Sequence, residues 1–238
     1  MAASFLLISM KKRSFAREKK SVTYKYILFD LDDTLYPRAA GLLNAIGERI
    51  IQYMTHKVGI PADDVPFKKR EYYQQYGTSL QGLMREYDVD PVEYLHYVHD
   101  VNPADYFGIS PPLDNMLYEI PLRKVIFTNA DTAHTHRVLK TLGVGHHFDS
   151  IFDVQVRNYL SKPDPKAYHH VLETLNVNGE NCIMVEDRAS NLLPAKDLGM
   201  TTILVDSDRK SLGIDYAVPT VFHVGKILQE LLHNSYLP

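Results

Sequence analysis

Cysteine is nearly absent from this sequence, and so are long apolar runs and a strong net charge. The single cysteine, Cys182, excludes an intramolecular disulfide, so a reducing, cytoplasmic compartment is the expected location. No apolar stretch approaches the roughly 20 residues that a membrane-spanning helix needs. A net charge of −3 creates no global field that would attract nucleic acid or an anionic membrane. We therefore expect neither a nucleic-acid polymer nor a membrane as a partner.

The first 23 residues differ in composition from the rest of the chain. The apolar stretch Ala2–Ile8 precedes the basic stretch Lys11–Arg13, which is the reverse of the order in a secretory signal. The basic, serine-containing stretch up to Lys20 is compatible with an organellar transit peptide. We expect residues 1–23 to be a disordered tail or an overextended start, with organellar targeting as the alternative.

Short apolar runs with strand character recur along the chain. They are Tyr26–Asp30, Lys124–Thr128, Ile151–Val154, Cys182–Asp187 and Thr202–Asp206. Helical stretches lie between the later runs, at Ala133–Leu142, Pro165–Leu175 and Ser190–Leu198. Alternating strands and helices are typical of right-handed βαβ units. The sequence therefore predicts an α/β fold with a Rossmann-like core built on a parallel sheet.

The interval between the first two runs breaks this alternation. From about 38 to 110 no convincing strand occurs, and apolar residues recur at helical spacing, namely Leu42, Leu43, Ile46, Ile50, Met54 and Val58. The stretch Ser110-Pro111-Pro112 marks the return to the core. We predict a helical insertion at 38–110 that can act as a lid, with a core formed by 24–37 and 111–238.

Two of the apolar runs end in a pair of carboxylates. Asp30 and Asp32 follow the first run, and Glu186 and Asp187 end the fourth. Because ligands of open α/β sheets gather where the strands end, we expect these acids to lie together. Such a cluster is difficult to maintain without a cation. The sequence therefore predicts a metal-assisted active site.

The first pair of acids has a spacing that suits phosphoryl transfer. If Asp30 attacks phosphorus, a covalent aspartyl-phosphate forms and one difficult displacement becomes two easier ones. Asp32 is close enough to protonate the departing alcohol and then to take a proton from the attacking water. Taken alone, the hexapeptide Asp30–Leu35 is equally well explained by a solvated turn at Asp32-Asp33-Thr34.

The second pair of acids offers metal ligands. Mg²⁺ prefers oxygen ligands and usually keeps several waters, so few protein groups suffice. The expected set is Asp30, Asp32 and Asp187, with a backbone carbonyl among the donors. Asn191, four residues after Asp187, shares its face and can orient a ligand or a metal-bound water. Glu186 either supports the site in the same way or is only a charge at the helix entry.

Two further segments have features of phosphate-binding sites. Thr128 and Asn129 follow a strand and lead into a helix, where a hydroxyl and free backbone amides can hold phosphoryl oxygens. Thr, Asn and Asp are also ordinary N-caps, so this motif alone is weak. Lys162, followed by Pro163, can neutralise the charge of the nucleophile and of the transferring group.

Taken in chain order, these residues form one pattern. It consists of Asp30-x-Asp32-x-Thr34, then Thr128, then Lys162 before a proline, then Glu186-Asp187-x-x-x-Asn191. The pattern covers about Lys25 to Asp206 and resembles the haloacid dehalogenase-like (HAD) hydrolase superfamily. As an ordered set it is highly specific, although each piece alone is not.

The resemblance implies a role for each residue and a fold for the chain. It implies Asp30 as nucleophile, Asp32 as general acid/base, Thr128 as phosphate ligand, Lys162 as charge stabiliser and Asp187 as Mg²⁺ ligand. The implied fold is a Rossmann-like core with a helical C1-type cap inserted after the first strand. Carbon–halogen cleavage needs no acid to protonate a halide, so Asp32 favours a phosphomonoester substrate over a haloacid.

Further motifs in the insertion and core are similar to the pyrimidine 5'-nucleotidase branch of this superfamily. They are Asp32–Pro37, Tyr73-x-x-Tyr76-Gly77-x-x-Leu80-x-Gly82-Leu83, His99-Asp100 and Phe127–Asp131. This similarity implies a nucleoside monophosphate such as UMP or CMP as substrate. Tyr73 and Tyr76, three residues apart, are candidates to face one groove and stack on the base, although a given cap tyrosine more often packs its own helices.

Other functions remain open. A phosphatase of another small metabolite, such as a sugar phosphate or phosphoglycolate, has the same motifs, and a phosphosugar mutase shares the nucleophile and the acid/base. A catalytically silent relative is disfavoured by the complete residue set. The histidine pairs His146-His147 and His169-His170 are interpreted as surface or packing residues, because adjacent residues on a helix point apart. The expected oligomeric state is a monomer or a homodimer.

Overall fold

The structure is a computed structural model that describes residues 23–156, 158–205 and 212–235. The tail predicted at 1–23 therefore lies outside the described residues, except for Thr23. Within the described ranges, no helix is both long and apolar enough to cross a membrane.

A parallel sheet forms the centre of the fold. Its strands are Tyr26–Phe29 (β1), Arg123–Phe127 (β2), Ser150–Phe152 (β3), Cys182–Glu186 (β4), Thr201–Val205 (β5) and Tyr216–Val218 (β6). Their order across the sheet is β3-β2-β1-β4-β5-β6, and every neighbouring pair is parallel. All residues of β1 and β4 are buried, as expected for inner strands covered on both faces. The predicted α/β fold is confirmed.

The helical insertion after the first strand is confirmed as well. Between β1 and β2 lie Leu42–His56 (α1), Val65–Tyr76 (α2), Ser79–Glu86 (α3), Pro91–Val98 (α4) and Pro111–Glu119 (α5). The division of the chain into core and cap at residues 38 and 110 stays a prediction. The later helices are Thr132–Leu142 (α6), Pro165–Leu175 (α7), Ala189–Asp197 (α8) and Val224–Ser235 (α9).

Helices cover both faces of the sheet because side chains alternate along each strand. Ile27 and Phe29 of β1 belong to the core cluster that contains buried residues of α5, α6 and α9. Tyr26 and Leu28 point the other way, into a second cluster with α7 and α8. Helices thus cover both faces of the sheet, and polar side chains can lie together at the uncovered carboxyl ends of the strands.

Candidate active site

The strand register brings the two acidic segments together. β1 and β4 are hydrogen-bonded neighbours with Phe29 opposite Val185, and the backbone N–H of Asp30 donates to the Val185 carbonyl at 2.9 Å. The next residues on each strand are the acids. Carboxylate oxygens of Asp30, Glu186 and Asp187 all lie within 4.8 Å of one another. The acids predicted from two distant segments therefore do meet.

Lys162 lies in the middle of this cluster. Its Nζ donates to Asp30 Oδ1 at 2.7 Å, to Glu186 Oε2 at 2.6 Å and to the Phe127 carbonyl at 2.7 Å. The lysine side chain is only 1% exposed. With its three donors engaged, the ammonium has a fixed position between the two carboxylates.

The buried acids outnumber the buried cation. Burial, and then repulsion from Glu186, raises the pKa of Asp30 to about 7 in spite of Lys162. Burial likewise raises the pKa of Glu186 to about 7. For Lys162, burial acts to lower the pKa, but the attraction of Asp30 and Glu186 outweighs it and the net shift is upward. A further positive charge at this point would stabilise the ionised acids.

Asp187 faces a cation from the start of the insertion. Its Oδ2 accepts from Arg38 Nη2 at 2.7 Å, while Arg38 Nε donates to Asp33 Oδ2 at 3.1 Å. Burial, followed by repulsion from Asp30, raises the pKa of Asp187. Among the described residues, Asp33 Oδ1 is buried without a hydrogen-bond partner. The atoms near Asp30 that can coordinate a metal ion are carboxylate oxygens of Asp30, Glu186 and Asp187. Oxygen is the ligand type that Mg²⁺ prefers.

Asp32 points into a separate hydrogen-bonding environment. Its Oδ1 lies 2.9 Å from His134 Nε2 and accepts from the Tyr36 hydroxyl at 2.6 Å. Burial acts to raise the pKa of Asp32, but His134 and the Tyr36 hydrogen bond outweigh it and lower this pKa. Asp30 and Asp32, two residues apart, therefore have pKa values shifted in opposite directions. Such a separation is typical of acids with different roles.

Threonines and amides complete the polar side of the site. Thr34 Oγ1 donates to Asp30 Oδ2 at 3.1 Å, and Thr128 is buried at the end of β2. Asn129 holds the lysine segment, since its Oδ1 accepts from the Lys162 N–H at 2.8 Å and its Nδ2 donates to the Lys162 carbonyl at 2.9 Å. Asn191 is buried and lines the same cavity.

One cavity, with a volume of about 120 Å³, contains these groups. Its core side carries Asp30, Asp32, Thr128, Asn129, Lys162, Glu186, Asp187 and Asn191. Its other wall comes from the insertion and is largely apolar, with Leu43, Ile46, Ile50, Leu95 and Val98. The cavity therefore has a charged end and an apolar wall.

A family model described as haloacid dehalogenase-like hydrolase matches residues 24–199. The chain belongs to this family. The match covers both acidic segments and the whole insertion, so the superfamily resemblance seen in the motifs is confirmed.

A yeast protein and a solved phosphatase structure are similar to this HAD-like hydrolase at low identity. Phosphate metabolism protein 8 of Saccharomyces cerevisiae is 27% identical over 195 residues, which are 76% of this chain and 61% of the yeast protein. The chain thus spans less than two thirds of that relative's length. A HAD phosphatase from Thermococcus onnurineus has a TM-score of 0.59 at 22% identity, over 86% of this chain and 97% of that one.

A magnesium-bound structure belongs to the same group of neighbours. The HAD-hydrolase YfnB from Bacillus subtilis has a TM-score of 0.58 at 16% identity, over 87% of this chain and 99% of that one. At such identities the solved structures show the fold alone.

Two histidines of the hydrolase that were not among the predicted site residues lie at its site. His134 is fully buried beside Asp32, and its ring stacks on His99 with centroids 4.5 Å apart. His99 Nδ1 in turn lies 2.8 Å from Asp131 Oδ2. The sequence signal was present in Asp131-x-x-His134, where an N-cap acid and a histidine share the first turn of α6. It was not recognised because Asp32 and His99 come from two other segments of the chain.

The two cap tyrosines do not share a groove. Tyr73 lines the active-site cavity, and the guanidinium of Arg188 lies 4.8 Å from its ring centroid. Tyr76 instead lines a different cavity with Gln81 and Leu160, and packs against Arg85. The structure therefore brings Tyr73, but not Tyr76, to the cavity that contains the acidic cluster.

Proposed function

We propose that this hydrolase is a Mg²⁺-dependent phosphomonoesterase that acts on a small phosphorylated metabolite through a covalent aspartyl-phosphate at Asp30. The observation that carries the proposal is the contact of Lys162 Nζ with Asp30 Oδ1 at 2.7 Å, beside three further carboxylates in the same cavity. A buried carboxylate held by a lysine can approach a phosphoryl group that an isolated anion would repel.

In the first step, an oxygen of Asp30 attacks phosphorus and the bond between phosphorus and the ester oxygen breaks. Asp32 gives a proton to the departing oxygen, which leaves as an alcohol. Asp32 has a lowered pKa in the resting protein, and the like charge of an arriving phosphate raises it, which favours proton uptake before the transfer. Lys162 balances the charge that accumulates on the nucleophile and the phosphoryl oxygens.

In the second step, water attacks the phosphorus of the aspartyl-phosphate. Asp32 takes a proton from that water, the bond between Asp30 and phosphorus breaks, and inorganic phosphate leaves. The Oδ1 atom of Asp32 is held by His134 and Tyr36, so Oδ2 remains to face the substrate. We propose that His134 and Tyr36 position Asp32 for both proton transfers.

The metal fits the oxygen donors of the site. Asp30 and Asp187 would hold Mg²⁺, with Asp32 contributing its backbone carbonyl and with Glu186 and Asn191 supporting the ligands. When bound, the ion supplies positive charge to the phosphoryl oxygens and lowers the repulsion between Asp30 and its neighbours.

A pyrimidine nucleoside monophosphate is the substrate that we propose first. Support comes from the motif similarity to the pyrimidine 5'-nucleotidase branch and from Tyr73, which lines the cavity where a base can stack. A smaller phosphate, such as a sugar phosphate or phosphoglycolate, is the second candidate. It is favoured by the cavity volume of about 120 Å³, since pockets for larger ligands usually measure roughly 300–1,000 Å³. A nucleotide would require the insertion to move outward.

A phosphate-release screen across phosphorylated metabolites with added Mg²⁺ tests the proposal. UMP and CMP well ahead of purine nucleotides and sugar phosphates would support the nucleotidase. Sugar phosphates or phosphoglycolate ahead would support the second candidate. An isomerised sugar phosphate without free phosphate would indicate a mutase, and no reaction with any substrate would contradict the phosphatase. The cytoplasmic location and the monomeric or homodimeric state stay predictions.

Replacing Asp32 by asparagine is expected to slow esters with poor leaving groups most. General acid catalysis contributes roughly 10²–10⁴-fold, and an activated aryl phosphate needs little of it. The measurement is kcat/KM for p-nitrophenyl phosphate and for an alkyl phosphate, because this ratio reports the first transfer only. An equal decrease for both substrates would contradict the general-acid role.

Replacing His134 by glutamine is expected to preserve most activity. Replacing it by phenylalanine is expected to reduce activity. Glutamine keeps an N–H near the position of Nε2, whereas phenylalanine keeps the ring but loses the donor to Asp32. The loss of a hydrogen bond to a charged group predicts a decrease of about tenfold or more for the alkyl ester. A purely structural role for His134 would slow alkyl and aryl phosphates alike and would contradict the positioning role.

Removal of Mg²⁺ by a chelator is expected to stop the reaction. Mg²⁺ should also raise the melting temperature of the wild type by several degrees, because a bound ion stabilises the folded state by mass action. The variant Asp187→Asn should lose most of this increase, while Asp90→Asn, the same change at the N-cap of α4, should retain it. An unchanged rate after chelation would remove the metal from the mechanism.

A further inference from the structure

A second cluster of possible metal ligands lies outside the active site. His147 Nε2 lies 2.7 Å from Asp114 Oδ1, and His146 Nε2 lies 3.3 Å from the same oxygen. Asp114 is in the first turn of α5, while the two histidines belong to the 3-10 turn Gly145–His147. The expectation that adjacent histidines point apart fails here, since this turn places their ring centroids 4.1 Å apart.

This cluster lies near the amino-terminal ends of the strands, whereas the acids of the active site lie at their carboxyl ends. His146 and His147 precede β3, whereas Asp30 and Asp187 follow the carboxyl ends of β1 and β4. Because β1, β2, β3 and β4 run parallel, the start of β3 and the ends of β1 and β4 lie on opposite sides of the sheet along the strand direction. A ligand bound by the histidines would therefore not contact the substrate.

We propose that Asp114, His146 and His147 form a binding site for a divalent transition-metal ion of the zinc class. One ligand atom from each residue lies within 4.8 Å of the other two. Tetrahedral Zn²⁺, with ligands at about 2.0–2.1 Å, separates its ligand atoms by roughly 3.3–3.4 Å. The separation between His146 and Asp114 already has this value, and the one between His147 and Asp114 must lengthen by only about 0.6 Å.

The chemistry of the donors selects the ion. Imidazole nitrogen suits zinc, copper and nickel, whereas magnesium prefers a site built of oxygens. The two clusters of this chain therefore differ in selectivity, because the cluster at Asp30 offers carboxylates only.

Exposure of the cluster suits both anchoring and entry of an ion. The His147 side chain is 8% exposed and holds one ligand in place, while His146 and Asp114 are 65% and 41% exposed. Solvent can therefore reach the site and supply a water as fourth ligand. The ion would join the start of α5 to the turn before β3, near the hydrogen bond from the Ser110 N–H to the Leu142 carbonyl at 3.1 Å. We expect it to stabilise this junction.

The test is calorimetric titration of the full, metal-stripped chain with Zn²⁺ in excess Mg²⁺, together with Co²⁺ absorption spectra. The wild type should bind one equivalent that Mg²⁺ does not displace. His146→Ala and Asp114→Asn should each weaken binding by about tenfold or more, and the double variant H146A/H147A should abolish it. The matched control H169A/H170A removes the other histidine pair, on α7, and should bind like the wild type.

Two further arms make the outcome decisive. Asp187→Asn should retain Zn²⁺ binding, because it alters only the carboxylate site, and melting curves establish that each variant is folded. Loss of binding in Asp187→Asn with retention in H146A/H147A would assign the ion to the active site and overturn the proposal. Absence of Zn²⁺ binding by the folded wild type would overturn it as well.

Discussion

Replacing Asp30 by asparagine is expected to reduce phosphate release by on the order of 10⁴-fold or more while the fold stays intact. The amide of asparagine cannot form the aspartyl-phosphate, so the first step of the reaction is lost. The fold should tolerate the change, because asparagine still accepts from Lys162 and relieves the crowding that raises the pKa of Asp30 to about 7. Steady-state rates and melting curves measure the two effects.

The control for Asp30→Asn is Asp90→Asn. Asp90 caps α4 by accepting from the Val92 N–H, and asparagine caps helices equally well. This variant should have the wild-type rate. Mass spectrometry of Asp30→Asn excludes deamidation back to aspartate. Substantial residual activity in the undeamidated protein would contradict the assignment of Asp30 as nucleophile.

Replacing Lys162 by methionine is expected to damage both stability and activity. The change leaves Asp30 and Glu186 buried without their cation, and breaking such a buried pair costs about 3–5 kcal/mol of unfolding free energy. Both acids already have folded-state pKa values of about 7, above their unfolded values of 3.8 and 4.5. Protonation therefore favours the folded state, so the loss should be smallest near pH 4 and grow as the pH rises through 7.

A double variant separates the two effects of Lys162. Adding Glu186→Gln to Lys162→Met removes one of the two stranded charges and should restore much of the stability, while activity should stay at least about 100-fold reduced. Lys166→Met, on the exposed surface of α7, is the matched control and should change neither quantity. Recovery of activity in the double variant would contradict the role of Lys162 in charge stabilisation.

The sequence predicted the features that depend on local pattern. β1 and β4 are short apolar runs, the composition that buried parallel strands require, and acids follow the apolar residues of each. The insertion was recognisable because Leu42, Ile46 and Ile50 repeat at helical spacing. The sequence analysis predicted that Lys162 neutralises the charge of the nucleophile. Its contacts with Glu186 and the Phe127 carbonyl were not predicted, since nothing local connects these residues.

The features that were missed depend on tertiary contacts. β6 has three residues, too few for a strand pattern, and it forms only as a neighbour of β5. His134 meets Asp32 across 102 positions of the chain. Tyr73 and Tyr76 share helical spacing, but the packing of α2 against its neighbours sends their rings to different cavities. Such contacts are set by packing and leave no periodic signal.

Detection of the covalent intermediate is the most direct test of the proposed mechanism. The wild type and Asp32→Asn are mixed with p-nitrophenyl phosphate and Mg²⁺, because this activated ester needs little general acid in the first step. The reactions are quenched during turnover, digested and examined by mass spectrometry. The covalent mechanism predicts a phosphoryl group on the peptide that contains Asp30, at higher occupancy in Asp32→Asn because hydrolysis of the intermediate then lacks its base. Phosphate release without any phosphorylation of Asp30, or with the phosphoryl group on another residue, would contradict it.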